Sequence, residues 1–135
     1  RMGDQACNIA HNGRDYLARE PIHTKTDLLA MANLVKQMVR ESLDAFVRRD
    51  TELSQLVLEK DDEVDEAKNE IFNELKEYMK DHPDQIDSCL DLILIARNLE
   101  RLGDHATNIA EQVIFLATGD DIRHGNNLTP RSPNP

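Results

Sequence analysis

The chain has 135 residues, of which 39% are apolar, 31% are charged and 4% are aromatic. This length supports one domain with an apolar core, and the scarcity of aromatic residues favours helices packed through aliphatic side chains over a β-sandwich. Sixteen Lys and Arg against 26 Asp and Glu give 16 − 26 = −10, a charge that argues against nucleic acid as a partner and favours cations or basic protein surfaces.

Several kinds of chemistry find no support in the sequence. Cys7 and Cys89 are the only cysteines, too few to form a soft-metal site alone, and we expect both to be reduced in a cytoplasmic protein. We find no cationic apolar leader and no long apolar run, so neither secretion nor membrane insertion is indicated. Since catalytic triads and Gly-rich phosphate loops are also missing, we expect no enzyme; a carboxylate acid/base pair is the alternative that spacing leaves open.

Residues 1–18 begin in the middle of a helical pattern, without a cap or a turn, which indicates a fragment rather than a natural start. Aligned with residues 101–110, the first ten residues show seven identities. The identical pairs are Arg1/Arg101, Gly3/Gly103, Asp4/Asp104, Ala6/Ala106, Asn8/Asn108, Ile9/Ile109 and Ala10/Ala110. This internal repeat predicts that residues 1–18 form the end of a first copy of the later helix.

Two helices are predicted between residues 24 and 81. Thr24, followed by Asp27, can cap a helix that continues to about residue 49. Residues 51–58 look like a short helical turn that leads into a second helix over residues 59–81. Asp61 and Asp65 lie four residues apart on this second helix and flank its apolar face, so they can point along a groove between two helices.

The longest helix is predicted over residues 84–118, between Pro83 at its start and Gly119 at its end. Apolar residues recur there at spacings of three and four, and small residues recur beside them every seven. The apolar set is Leu92, Ile95, Leu99, Leu102, Ala106, Ile109, Val113 and Leu116, and the small set is Ala96, Gly103, Ala110 and Ala117. This pattern predicts close packing against two neighbouring helices.

The opposite face of this helix carries Glu100 and Asp104, four residues apart. Two stacked carboxylates repel by a few tenths of a kcal/mol unless a cation lies between them. The spacing acid-x-x-x-Asp also occurs at Asp61 and Asp65, and Asp4 is half of it in the repeat. Such pairs on adjacent helices can bridge divalent or ferric ions, provided the helices lie side by side; a solvated acidic surface is the other interpretation.

His105 is the histidine next to these acids. It projects away from the acidic stripe towards the flank of the apolar face, so we predict a structural role for it rather than metal ligation.

The runs ARNLERLGDHATNIAEQVIFLATGDDIRH, DDEVDE and RMGDQACNIA resemble the PhoU family of bacterial phosphate-uptake regulators. The segment LERLGDHATNIAE is highly specific, and the resemblance covers roughly residues 1–125. It implies an all-α fold of three-helix repeats. We therefore expect a three-helix bundle over residues 24–118, preceded by the end of a first-repeat helix over residues 1–18 and followed by a mostly disordered tail over residues 119–135.

The resemblance also implies a function. Family members are cytoplasmic, non-enzymatic negative regulators of phosphate uptake and of the phosphate-starvation response. They act at the inner face of the membrane, as adaptors between the phosphate ABC transporter ATPase and the PhoR sensor histidine kinase. Their E(D)xxxD motifs bind multinuclear metal clusters, with iron favoured over zinc, manganese, magnesium or nickel. Carried over, the motif falls on Asp61, Asp65, Glu100 and Asp104, with Asp4 as the orphaned half of a first-repeat motif.

Two alternatives stay open. A carboxylate-rich helical metalloprotein for metal storage, or for redox or hydrolytic chemistry, is a second functional class that the same acids could serve. Because most of the first repeat is missing, the helix of residues 1–18 must find apolar partners on this chain or by dimerising with a second copy. We expect a homodimer, and we expect any site that needs acids from both repeats to be incomplete.

Overall fold

The computed structural model describes residues 1–119 and is helical throughout, with no strand in that range. Its elements are α1 (Met2–Leu17), α2 (Leu28–Arg48), α3 (Thr51–Asp81), a 3₁₀ turn (Pro83–Gln85) and α4 (Ile86–Thr118). The all-α prediction is confirmed. Residues 120–135, which make up almost all of the predicted tail, lie outside the described part of the chain.

Helices α2, α3 and α4 form the predicted three-helix bundle, in which each helix contacts the other two. The core consists of aliphatic side chains, as the low aromatic content predicts. Its main members are Met31, Val35 and Met38 of α2, Val57, Val64, Ile71 and Leu75 of α3, and Leu92, Ala96, Leu99, Ala106 and Ala110 of α4. The predicted α4 pattern is therefore buried over most of its length. At its end, however, Leu116 is 75% exposed.

Helix α1 runs antiparallel to α4 and contacts no other helix in the described structure. His105 Nε2 lies 3.2 Å from Gln5 Oε1 at one end of this contact, and Arg19 donates a 2.8 Å hydrogen bond to Asp91 at the other. Helix α4 therefore has three neighbours where the sequence predicted two. No residue of α1 is buried, but the helix finds its partner on this chain, and the homodimer stays a prediction.

The predicted start of α2 is wrong by four residues. The Asp27 carboxylate, and not Thr24, caps the helix by accepting a 2.9 Å hydrogen bond from the backbone N–H of Ala30. Thr24 Oγ1 instead accepts a 2.9 Å hydrogen bond from the N–H of Thr26, in a segment that is not helical. Thr24 thus stabilises the loop that precedes α2.

The other predicted boundaries also shift. Residues 51–58 are not a separate turn: α3 is one continuous helix from Thr51, capped by a 3.0 Å hydrogen bond from the Leu53 N–H to the Asp50 carboxylate. The last helix begins at Ile86 rather than residue 84, because the three residues from Pro83 form the 3₁₀ turn. No helix among residues 1–119 is long and apolar enough to cross a membrane.

Candidate acidic site between helices 3 and 4

Helices α3 and α4 come close together beside Gly103. A Cβ atom on this residue would lie 3.8 Å from Val64 Cγ1 and 3.9 Å from Met38 Cε, so the backbone of α4 sits almost in van der Waals contact with side chains of both neighbours. Asp65 and Asp104 follow Val64 and Gly103 directly in the sequence. The packing of small residues therefore brings acids of the two helices to one boundary, as the metal hypothesis requires.

Four carboxylates meet at this boundary. We call Asp61, Asp65, Glu100 and Asp104 the acidic site. They interact electrostatically across the two helices, and each helix contributes one acid-x-x-x-Asp pair. Lys68 forms a salt bridge with this group: its Nζ lies 2.7 Å from Glu100 Oε2, and both side chains are partly buried. At neutral pH the group would carry +1 − 4 = −3 if all its members were ionised.

Burial and the neighbouring negative charges raise the pKa values of two members of the site, Asp61 and Asp104. Burial of its carboxylate, followed by the charges of Asp65 and Asp104, raises the pKa of Asp61 from its ordinary value of 3.8 to about 6. The pKa of Asp104 is raised first by partial desolvation of its carboxylate, although the residue as a whole is exposed, and then by Glu100 and Asp65. The site therefore holds its ionised form less readily than isolated acids would.

Lys68 and His105 offset part of this repulsion. Both lower the pKa of Asp104. The hydrogen bond to Glu100, followed by attraction to the nearby acids, raises the pKa of Lys68 and keeps it charged. His105 itself lies against Gln5 of α1, and its structural role stays a prediction.

Asp4 does not join the acidic site. It is exposed on α1 and is not among the charges that raise the pKa of Asp61 or Asp104. Although Asp4 matches Asp104 in the repeat, α1 packs on a different side of α4 from α3. The structure therefore brings four of the five predicted site residues together and leaves the fifth apart.

The chemistry of the four acids suits a hard cation, because carboxylate oxygens are the ligands that such ions prefer. Their present arrangement does not form a coordination shell: among residues 1–119, no three His, Cys, Asp or Glu side chains are grouped so that they could hold a metal ion. The carboxylates would have to turn towards one another, and Glu100 would have to leave Lys68, before they could share an ion.

Lys68 was missed by sequence reasoning, although a signal was present. It lies three residues after Asp65 and seven after Asp61, so it falls on the same face of α3 as both. The residue indicates that this surface has a built-in counter-cation, which a search for acids alone overlooks.

The matching family model and two similar proteins point to the same family. The model of the PhoU domain matches residues 28–113. A protein of Zymomonas mobilis named phosphate-specific transport system accessory protein PhoU homolog is 45% identical over 122 residues, which are 90% of this chain and 52% of that protein. A protein of the same name from Caulobacter vibrioides is 40% identical over 123 residues, 90% of this chain and 54% of its own.

The fold agrees with a solved structure. The crystal structure of PhoU from Pseudomonas aeruginosa matches with a TM-score of 0.83 and 37% sequence identity, over 87% of this chain and 57% of that one. The chain spans about half the length of the curated relatives it matches. On the family match, the sequence identities and the shared fold, this chain belongs to the PhoU family.

Proposed function

We propose that this chain serves as a regulatory accessory component of a phosphate transport system. Its relatives are named as accessory proteins of such a system, and the resemblance of its motifs implies a negative regulator of phosphate uptake and of the phosphate-starvation response. In this role the chain works as a non-enzymatic adaptor between the phosphate ABC transporter ATPase and the PhoR sensor kinase, at the cytoplasmic face of the membrane.

The observation that carries this proposal is the uncompensated charge of the acidic site. Four carboxylates share one ammonium group, and repulsion among them contributes to the raised pKa values of Asp61 and Asp104. A Lys or Arg side chain of a partner would relieve this repulsion and keep the acids ionised. The site thus favours a basic protein surface, and complementary charge directs binding more through specificity and association rate than through raw affinity.

The test measures binding to the transporter ATPase and to the cytoplasmic part of the PhoR kinase at two ionic strengths. We expect affinity to fall at least about tenfold between roughly 0.05 M and 0.5 M salt, since ions screen exposed charges. Affinity that is unchanged over this range would contradict an electrostatic contact. Absence of binding to either partner at low salt would contradict the adaptor role itself.

Metal binding is the second candidate, and the shared electrostatics of the four carboxylates favour it. A divalent or ferric ion between α3 and α4 would take the place of Lys68 as counter-charge for Asp61, Asp65, Glu100 and Asp104. Iron is the first ion to test, with zinc, manganese, magnesium and nickel beside it. Because Asp4 lies apart from this group, we propose it only as part of a separate site.

Elemental analysis of purified protein incubated with these ions tests the metal candidate. We expect bound metal in the native chain and its loss in Asp61→Asn and in Asp104→Asn, whereas Asp62→Asn, on the same helix, should keep it. A native chain without metal, or equal metal in all variants, would contradict the site. Redox turnover or hydrolysis that disappears in Asp104→Ala would favour the metalloenzyme class over the adaptor.

A further inference from the structure

A second surface lies on the other flank of α3, between this helix and the start of α2. It is a groove with a volume of about 460 Å³. The floor is apolar and is formed by Ala30, Leu34 and Ala67 above the buried side chains of Met31 and Ile71. The groove stays open because Ala30 of α2 and Ala67 of α3 have small side chains; larger side chains at these positions would fill the space between the two helices.

One wall of the groove is a line of glutamates on α3: Glu63, Glu66, Glu70 and Glu74. At roughly 100° per residue they fall within a sector of about 80° on the α2 side of the helix. None of them forms a salt bridge within residues 1–119; Glu74 accepts only a 3.5 Å hydrogen bond from Thr26. Lys25, at one end, is the cation of the lining.

These unpaired acids cost the free protein stability. Glu66 and Glu70, and again Glu70 and Glu74, are like charges four residues apart, and each such pair destabilises a helix by about 0.2–0.5 kcal/mol. Within residues 1–119, Lys25 is the one cation that lines the groove, and the glutamates of the wall form no salt bridge. The compensation that fits is a ligand with one apolar face and basic flanks.

We propose that this groove binds a cationic amphipathic helix of a partner protein, with its apolar face on the alanine floor and its Lys or Arg side chains towards the glutamates. From Glu63 to Glu74 the wall extends about 16 Å, or three helical turns, which sets the length of the bound segment. The groove is separate from the acidic site, so the inference goes beyond the proposed function and stands independently of it.

The test uses a fluorescent peptide of about 14 residues, in which Leu repeats at i, i+3, i+4 and i+7 and Lys fills the flanks. A scrambled peptide of the same composition is the control for charge alone. Fluorescence anisotropy with the full chain at about 0.05 M salt measures both affinities. We expect the amphipathic peptide to bind at least tenfold more tightly; equal affinity of the two peptides would overturn the inference.

Two variants locate the bound peptide on the protein. The double substitution Glu66→Gln with Glu70→Gln should weaken binding about tenfold while leaving the helix intact, because Gln and Glu have similar helix propensity. Ala67→Leu should weaken it about fivefold by filling the floor without any change of charge. Thermal melting checks that both variants fold.

The matched control is Asp44→Asn with Glu59→Gln. It removes the same number of charges from exposed positions outside the groove lining, and we expect affinity within about twofold of the native chain. Equal weakening by the control and groove variants would overturn the inference, as would native affinity in Glu66→Gln with Glu70→Gln.

Discussion

Asp61→Asn should stabilise the metal-free protein at neutral pH. In the native chain the Asp61 carboxylate is half-buried beside Asp65 and Asp104, and its pKa is raised from 3.8 to about 6. The difference, 6 − 3.8 = 2.2, corresponds to an upper limit of about 3 kcal/mol between the two protonation states. Since water still reaches this side chain and screens its charge, we expect a gain of about 1 kcal/mol in the free energy of unfolding.

The pH dependence of this stability difference follows from the protons that Asp61 binds in the folded and in the unfolded chain. Because the folded pKa of Asp61 is raised, the folded chain binds more protons than the unfolded chain between about pH 4 and pH 6. The contribution of this group to stability is greatest at the acidic end, falls as the pH rises through that window and is constant above it. Asn carries no charge at any pH. The free energy of unfolding of the variant should therefore exceed that of the native chain at about pH 7.5, and most of this difference should disappear near pH 4.

Urea denaturation of chelator-treated protein, followed by circular dichroism at the two pH values, measures this difference. Glu66→Gln is the control, because it removes an acid from the same helix outside the acidic site, and it should change stability by no more than about 0.5 kcal/mol. An Asp61→Asn variant no more stable than the native chain at pH 7.5, or equally stabilised at both pH values, would contradict a raised pKa of Asp61 in the folded chain.

Three further substitutions test the packing and the turns, each by the same denaturation assay. Leu99→Ala should cost about 2–5 kcal/mol, since Leu99 is 5% exposed in the core; a neutral result would contradict the helical phase of α4. Gly103→Ala should stabilise by about 0.5–1 kcal/mol, because the added methyl group meets only ordinary contacts; a loss would show tighter packing. Arg49→Gly should gain up to about 1 kcal/mol, because Arg49 ends α2 with φ 54°; destabilisation would contradict the left-handed conformation.

The helices and their buried faces could be predicted because helical periodicity acts over many residues. Leu99, Ala96 and Ala110 were placed correctly by the spacing of α4 alone. The start of α2 could not be predicted from the sequence, because Thr24 and Asp27 are both residue types that cap helices well. In the structure Thr24 accepts a hydrogen bond from Thr26 instead, and Asp27 caps the helix. Such local competition depends on how the loop is held, which residue types alone do not fix.

The separate helical turn predicted over residues 51–58, ahead of a helix over 59–81, differs from the structure for another reason. A run of acids resembles the first turn of a helix, and this suggested a new helix where α3 in fact continues. Ser54 and Val57 are buried on the same helix as Val64, so tertiary packing maintains the helix through the acidic segment. Propensity signals are weak beside such burial.

The sequence could predict which acids form the site, but not how they are arranged in three dimensions. The equal spacing of Asp61/Asp65 and Glu100/Asp104 pointed to one surface, and the close approach of α3 and α4 at Gly103 brings them together. Repeat symmetry suggested Asp4 as well, but α1 covers another side of α4. Which face each helix presents to its neighbours depends on three-dimensional packing, which the repeat alone does not encode.

The proposed function assigns to the acidic site the contact between this chain and a phosphate transport system. Its most direct test compares the affinity of the transporter ATPase for the native chain, for Asp61→Asn with Asp104→Asn, and for the control Asp44→Asn with Glu59→Gln. We expect at least about tenfold weaker binding for the first double variant and native affinity for the control. Equal affinity of all three proteins would contradict it.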